Sequence, residues 1–158
     1  MKKIMMNIFY LLIIIVLIQA NTIFVRREKK QRENAIKNYD IMEIFKQWLI
    51  NRIKGYSVEK FFVDNNCKSI AIYGVGHLGE VLIRELKESS ITIKYAIDKK
   101  ASNIFSDIEI IDPEDEYEDV DAFVVTPVSG VEDIIKLISS KTTKPIYTIE
   151  DVIYHDFP

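Results

Sequence analysis

Three glycines in the run Tyr73-Gly-Val-Gly-His-Leu-Gly79 are the residues whose type and spacing call for chemistry. In a G-x-G-x-x-G pattern the first glycine permits a tight turn, the second lets backbone approach a pyrophosphate, and the third lets a helix press on a strand. Gly74, Gly76 and Gly79 hold those positions. A helix starting there would face an anion with free amides and a positive dipole end. His77 sits inside the same loop, where a neutral imidazole could donate to a phosphate. Asp98 stands 19 residues beyond Gly79, close to the offset of about 20 at which a carboxylate accepts hydrogen bonds from ribose hydroxyls. Its charge would repel a 2′-phosphate by several kcal/mol at an intermediate dielectric, which favours NAD over NADP; Lys99 or Lys100 turned inward would reverse that choice.

These residues need a strand, a corner and a helix to position them. The apolar run Ile70 to Tyr73 ends at Gly74, and Leu78, Leu82 and Leu86 follow at helical spacing. A second strand is expected over Ile91 to Ile97, ending in Asp98, and a short third over Ile108 to Ile111. Asp112-Pro113 then opens a brief acidic turn, with a solvated helix and loop through Asp121. Ala122 to Thr126 reads as a central parallel strand that leaves Thr126 and Pro127 beside the crevice, with Val128 to Gly130 completing its rim. Ile134, Ile135 and Ile138 mark a helix, Pro145 to Ile149 a last strand, and Glu150 to Phe157 a terminal segment. Strands alternating with helices require a parallel sheet covered on both faces, expected in the order 3-2-1-4-5.

Ahead of this unit, Ile4 to Val25 carries no charge, and 14 of its residues are Leu, Ile, Phe or Val. As a helix it rises about 33 Å, enough to cross a hydrocarbon core of about 30 Å, and insertion is favoured by roughly 4 to 8 kcal/mol. A transmembrane anchor over 1–25 is expected, and a cleaved signal peptide is the competing reading. The basic residues that follow, from Arg26 to Lys37, outnumber Lys2 and Lys3 and so place the C-terminal part in the cytoplasm. Residues 26–66 then form a charged linker beside lipid headgroups and two amphipathic helices. Ile41, Met42, Ile44, Phe45, Trp48, Leu49 and Ile53 form the apolar stripe, and Lys46, Gln47, Asn51 and Arg52 the other face. The stripe serves the core or a homodimer, or lies in the membrane interface. Gly55 stops the first helix, Ser57 caps the second, and the nucleotide-binding domain is expected over 67–158.

A chain of 158 residues with a net charge of −3 gives no support for nucleic-acid binding. The single Cys67 cannot form an internal disulfide and reads as a small apolar filler. Acids between Asp115 and Asp121 lack a regular ligand spacing, so no metal site is assigned. Tyr56 and Lys60 have the Tyr-x-x-x-Lys spacing of short-chain dehydrogenases, but they precede the glycine loop. No catalytic residue is assigned, and His155 has no evident partner.

Ile70 to Gly79, Glu85-Leu86, Ile97-Asp98-Lys99 and Asp121 to Thr126 together resemble the small Rossmann modules fused to glycosyltransferases and other enzymes of bacterial surface-polysaccharide pathways. Over the first two strands the chain is also similar to the N-terminal nucleotide-sugar-binding domain of sugar O-acyltransferases, without their left-handed helix repeats. The resemblance implies a short Rossmann-like α/β fold that binds a dinucleotide or nucleotide sugar through Gly74, Gly76, His77, Leu78, Gly79 and Asp98. It also implies a glycosyltransferase or other glycan-assembly partner. Three readings follow: a membrane-tethered binding module, an NAD-linked oxidoreductase or epimerase-like enzyme completed by a second chain, and a scaffold without ligand.

Overall fold

The computed structural model describes residues 2–100 and 107–155 and, within the first helix, the side chains of residue 6 and of residues from 14 onward. The helices are α1 (Lys2–Ile53), α2 (Val58–Asp64), α3 (His77–Leu86), α4 (Val131–Lys141) and α5 (Ile149–Ile153). The strands are β1 (Ser69–Tyr73), β2 (Thr92–Ile97), β3 (Ile110–Ile111), β4 (Ala122–Val125) and β5 (Ile146–Thr148). They fall into two compact units, Met1–Tyr39 and Asp40–Pro158.

The first unit is helical, and the expected linker from Arg26 does not interrupt it. No glycine or proline occurs between Lys2 and Ile53, and Arg, Glu, Lys and Gln are good helix formers, so nothing ends the ladder before Gly55. The side chains of Ile14 to Ile18 and of Ile23 to Val25 are exposed. Among the described residues no helix is long and apolar enough to cross a membrane. Of the expected span Ile4 to Val25, the side chains at 4, 5 and 7–13 lie outside the described residues.

The second unit is an all-parallel α/β sheet in the order β3-β2-β1-β4-β5, as the alternation of elements requires. The chain steps from β1 outward to β2 through α3, and from β4 outward the other way through α4. Right-handed crossovers in opposite directions put those helices on opposite faces. Packing agrees. Ile70 and Ile72 join Leu78, Leu82 and Leu86 of α3 in one cluster, whereas Ala71 and Tyr73 join Ile138 of α4 in the other. This is the period-2 alternation of a strand buried on both sides, and each large aliphatic side chain so buried is worth about 1.5–3 kcal/mol.

The final residues of α1 close the first of these clusters. Ile44 and Trp48 are buried there, while Met42, Leu49 and Ile53, expected on the same stripe, are exposed. Asn51, expected on the polar face, is only 8% exposed. It is buried because it has partners: it donates to the Ile153 carbonyl at 2.7 Å and accepts from Gln47 Nε2 at 2.8 Å, which offsets its desolvation. Ser57 occupies the N-cap of α2 without a side-chain bond. The Val58 amide instead donates to Glu85 Oε1 at 3.3 Å, and Trp48 Nε1 to Glu85 Oε2 at 2.6 Å.

β3 and β5 are each two residues shorter than expected, and β2 and β4 one residue shorter. β3 is two residues long, and the acidic stretch after it is a turn, closed by Asp112 Oδ1 accepting the Glu114 amide and Asp115 Oδ2 accepting the Asp112 amide. Ile149 leaves β5 for α5 because Thr148 and Asp151 form a capping box. Phe157, in the expected terminal segment, lies outside the described residues. Cys67 is buried and free, its thiol pushed up by burial and then by Asp121, as a packing residue should be.

Asp121 ties the start of β4 to the start of β1. Its Oδ2 accepts from the amides of Lys68 and Ser69, each at 2.8 Å, and from Ser69 Oγ at 3.0 Å. Those backbone bonds hold its carboxyl below the ordinary value of 3.8. A depressed folded-state value means that the stabilisation is complete above 3.8 and is lost as pH falls through the folded value. Asp121→Asn should therefore be less stable than the wild type at pH 7, and the difference between their urea midpoints should shrink steadily below pH 3.8. A difference independent of pH would contradict this origin.

Candidate functional site

The corner after β1 is built by close approach. Gly74 has φ +92°, and a Cβ there would lie 2.8 Å from Pro127 Cδ. A Cβ on Gly79 would overlap the Gly74 carbonyl oxygen and sit 3.1 Å from Thr126 Oγ1. The first turn of α3 therefore rests directly on the backbone at the end of β1, the role expected of a third glycine. Gly76 is different: nothing lies within 4 Å of where its Cβ would be. It caps α3 without any side-chain bond, and the first bond of the helix runs from the Glu80 amide to the Gly76 carbonyl at 2.8 Å. The amides of the first turn precede any carbonyl they could reach within the helix, so they are available to an anion.

The other expected site residues divide between rim and frame. His77 is exposed beside Gly76 at the mouth of the corner. Leu78 is 3% exposed and packs in the core, so it presents only its amide. Thr126 is likewise 3% exposed, and its hydroxyl donates to the Gly74 carbonyl at 2.6 Å and the Tyr73 carbonyl at 3.2 Å. It braces the corner rather than facing a ligand.

Asp98 is half-buried at the end of β2, and both its oxygens accept backbone amides. Val75 donates to Oδ2 and Lys100 to Oδ1, each at 2.9 Å. The carboxylate thus joins the glycine loop to the loop after β2. Each carboxylate oxygen keeps a further lone pair, so acceptance from a ribose hydroxyl remains possible in addition. Lys99 and Lys100 are both exposed. Lys60 of the Tyr-x-x-x-Lys pair is bound to Asp64 at 2.9 Å. His155 lies 3.7 Å from Asp64 and edge-on to Phe61.

Sequence reasoning missed a cavity of about 420 Å³ at the same carboxyl edge of the sheet. Tyr73 closes its inner side, Lys99, Asp112 and Glu114 come from the ends of β2 and β3, and Ser129 and Asp133 from the start of α4. Tyr73 is 4% exposed, and its hydroxyl is the one buried side-chain polar atom without a hydrogen-bond partner among the described residues. Burial, then the carboxylates of Asp98, Asp112 and Glu114, push that phenol above its ordinary value, so it stays a donor at neutral pH. The available signal was a polar-tipped aromatic ending an otherwise aliphatic strand. A larger hollow of about 580 Å³, lined by Phe61, Tyr147 and Tyr154 with Glu150, Asp151 and His155, shares no residue with the glycine corner.

The fold and this corner define a doubly wound parallel α/β domain with an open helix N-terminus at the point where strand order reverses, between β1 and β4. No family model, curated protein or solved structure matches the chain.

Two substitutions test the geometry. Gly79→Ala should lower unfolding free energy by about 3 kcal/mol or more, because the backbone it strikes cannot yield. Gly76→Ala, with open space around it, should cost under about 1 kcal/mol by the same urea titration. Asp98→Ala should accelerate hydrogen exchange at the Val75 and Lys100 amides and leave those of Ala71 and Ile72 inside β1 unchanged.

Proposed function

We propose that this chain is a membrane-tethered binding protein for a nucleotide that carries a diphosphate, either a dinucleotide such as NAD or a nucleotide sugar. The observation that carries the reading is the open space at Gly76, set at the N-terminus of α3 beside a corner that Gly74 and Gly79 alone can form. The diphosphate would lie against the amides of Gly76, His77, Leu78 and Gly79, with His77 donating from the rim. A ribose would lie toward Asp98, whose charge disfavours a 2′-phosphate, so NAD is preferred to NADP.

Membrane attachment rests on the sequence alone, through the uncharged residues 4–25 and the basic residues after them. A cytoplasmic second unit would meet nucleotides and activated sugars where they are made, consistent with an accessory role beside a glycan-assembly enzyme.

The test is thermal unfolding of the full chain with NAD, NADP, UDP-glucose and UDP-N-acetylglucosamine. At a concentration one hundred times Kd, a true ligand should stabilise by about 2.7 kcal/mol. Gly76→Val should abolish that shift while lowering the midpoint without ligand only modestly, since a Cβ there meets nothing and the remaining loss is that of a glycine N-cap. Absence of any shift with all four compounds would overturn the reading in favour of a scaffold. Turnover of a bound compound would replace it with the enzyme reading.

A further inference from the structure

We infer that the cavity under Tyr73 is a binding site for an uncharged, hydroxyl-rich ring, the chemistry of a sugar, distinct from the diphosphate corner. Two independent features support this. The first is the buried Tyr73 hydroxyl without a partner. Such a group carries a desolvation cost that native chains rarely leave unmet, and a ligand oxygen is the partner the cavity can admit. The second is the lining. Asp112, Glu114 and Asp133 supply three carboxylates against the ammonium of Lys99 and that of Lys136, which lies 4.0 Å from Asp133, while Pro113, Ile134 and Leu137 supply an apolar wall. An excess of negative charge rejects a phosphate, so the anionic part of any ligand belongs elsewhere.

Carboxylates accept hydrogen bonds from several hydroxyls at once, and an apolar wall suits the C–H face of a ring. Ser129, exposed at the rim, can donate or accept. The Tyr73 hydroxyl is itself covered, so a ring reaches it by a side-chain rearrangement in the cavity lining. The ring could be a free monosaccharide or the sugar of a nucleotide, and the two sources are separable.

The experiment uses the full chain in a zwitterionic detergent without a sugar headgroup. Binding is measured by ligand-observed NMR for N-acetylglucosamine, glucose and ribose, and by calorimetry for UDP and UDP-N-acetylglucosamine. At least one ring-bearing probe should bind, and Tyr73→Phe should weaken it about 5- to 10-fold, the loss of one hydrogen bond. The same variant should leave UDP binding unchanged and the thermal midpoint unchanged or raised, because it removes an unpartnered group. Asp133→Asn at the rim should also weaken the ring-bearing probe. Binding of free sugars identifies a monosaccharide site; a gain for UDP-N-acetylglucosamine over UDP without free-sugar binding identifies the nucleotide-linked ring. Where free sugars bind, Gly76→Val separates this site from the diphosphate corner, since it should lose UDP and keep the free sugar; where only the nucleotide-linked ring binds, Tyr73→Phe does so, since it should reduce UDP-N-acetylglucosamine binding to the level of UDP and leave UDP unchanged. The inference fails if no ring-bearing probe binds, if Tyr73→Phe binds it as tightly as the wild type, or if the variant is destabilised. Binding of spermidine in place of every sugar would overturn it in favour of a cation site.

Discussion

The contact between Gly79 and the Gly74 carbonyl is the constraint from which the second unit is built. It fixes how closely α3 lies on β1: a side chain at Gly79 would push helix and strand apart, and one at Gly74 would strike Pro127 after β4. Thr126 completes the arrangement from the neighbouring strand, its hydroxyl closing on the same carbonyl at 2.6 Å. The end of β1, the start of α3 and, from 52 residues away, Thr126 thus meet at one peptide group. Opening this corner would expose core on one face and displace the helix terminus that an anion would use, so stability and binding geometry are coupled through it.

Glu85 performs a comparable service at the penultimate position of α3. Its carboxylate, 13% exposed, takes the Trp48 indole, the Val58 amide and, at 3.3 Å, the Arg52 guanidinium. A half-buried carboxylate with three donors offsets its own desolvation. It also supplies the N-terminal partner of α2 that Ser57 does not. The end of α1 is thereby tied to α3 by directed bonds as well as by the packing of Ile44 and Trp48.

Asp98 shows how one residue can satisfy a sequence pattern and do another task. A carboxylate at the end of the second strand is placed for ribose by its spacing, yet here it first holds the Val75 and Lys100 amides. These bonds draw the glycine loop toward β2. The loop is preorganised by its own chain, which lowers the ordering cost that a ligand would otherwise meet.

Sequence by itself determined the class of fold and the strand order, because Ile70 to Tyr73 and Ala122 to Val125 are apolar without interruption while α3 repeats at helical spacing. Such periods record which faces must leave water, and they survive any detail of packing. It also determined the corner, since only glycine tolerates φ +92° and only a missing Cβ admits the Gly74 carbonyl. Tertiary structure decided what depends on partners from distant segments. It buried Asn51 against the Ile153 carbonyl, turned the Thr126 hydroxyl onto backbone, and gave Val58 a cap from Glu85. It also left the Tyr73 hydroxyl alone beside a cavity gathered from the end of β1, the loops after β2 and β3 and the start of α4. Periodicity says which side of an element is dry; which polar atom meets which is fixed only when the chain closes on itself.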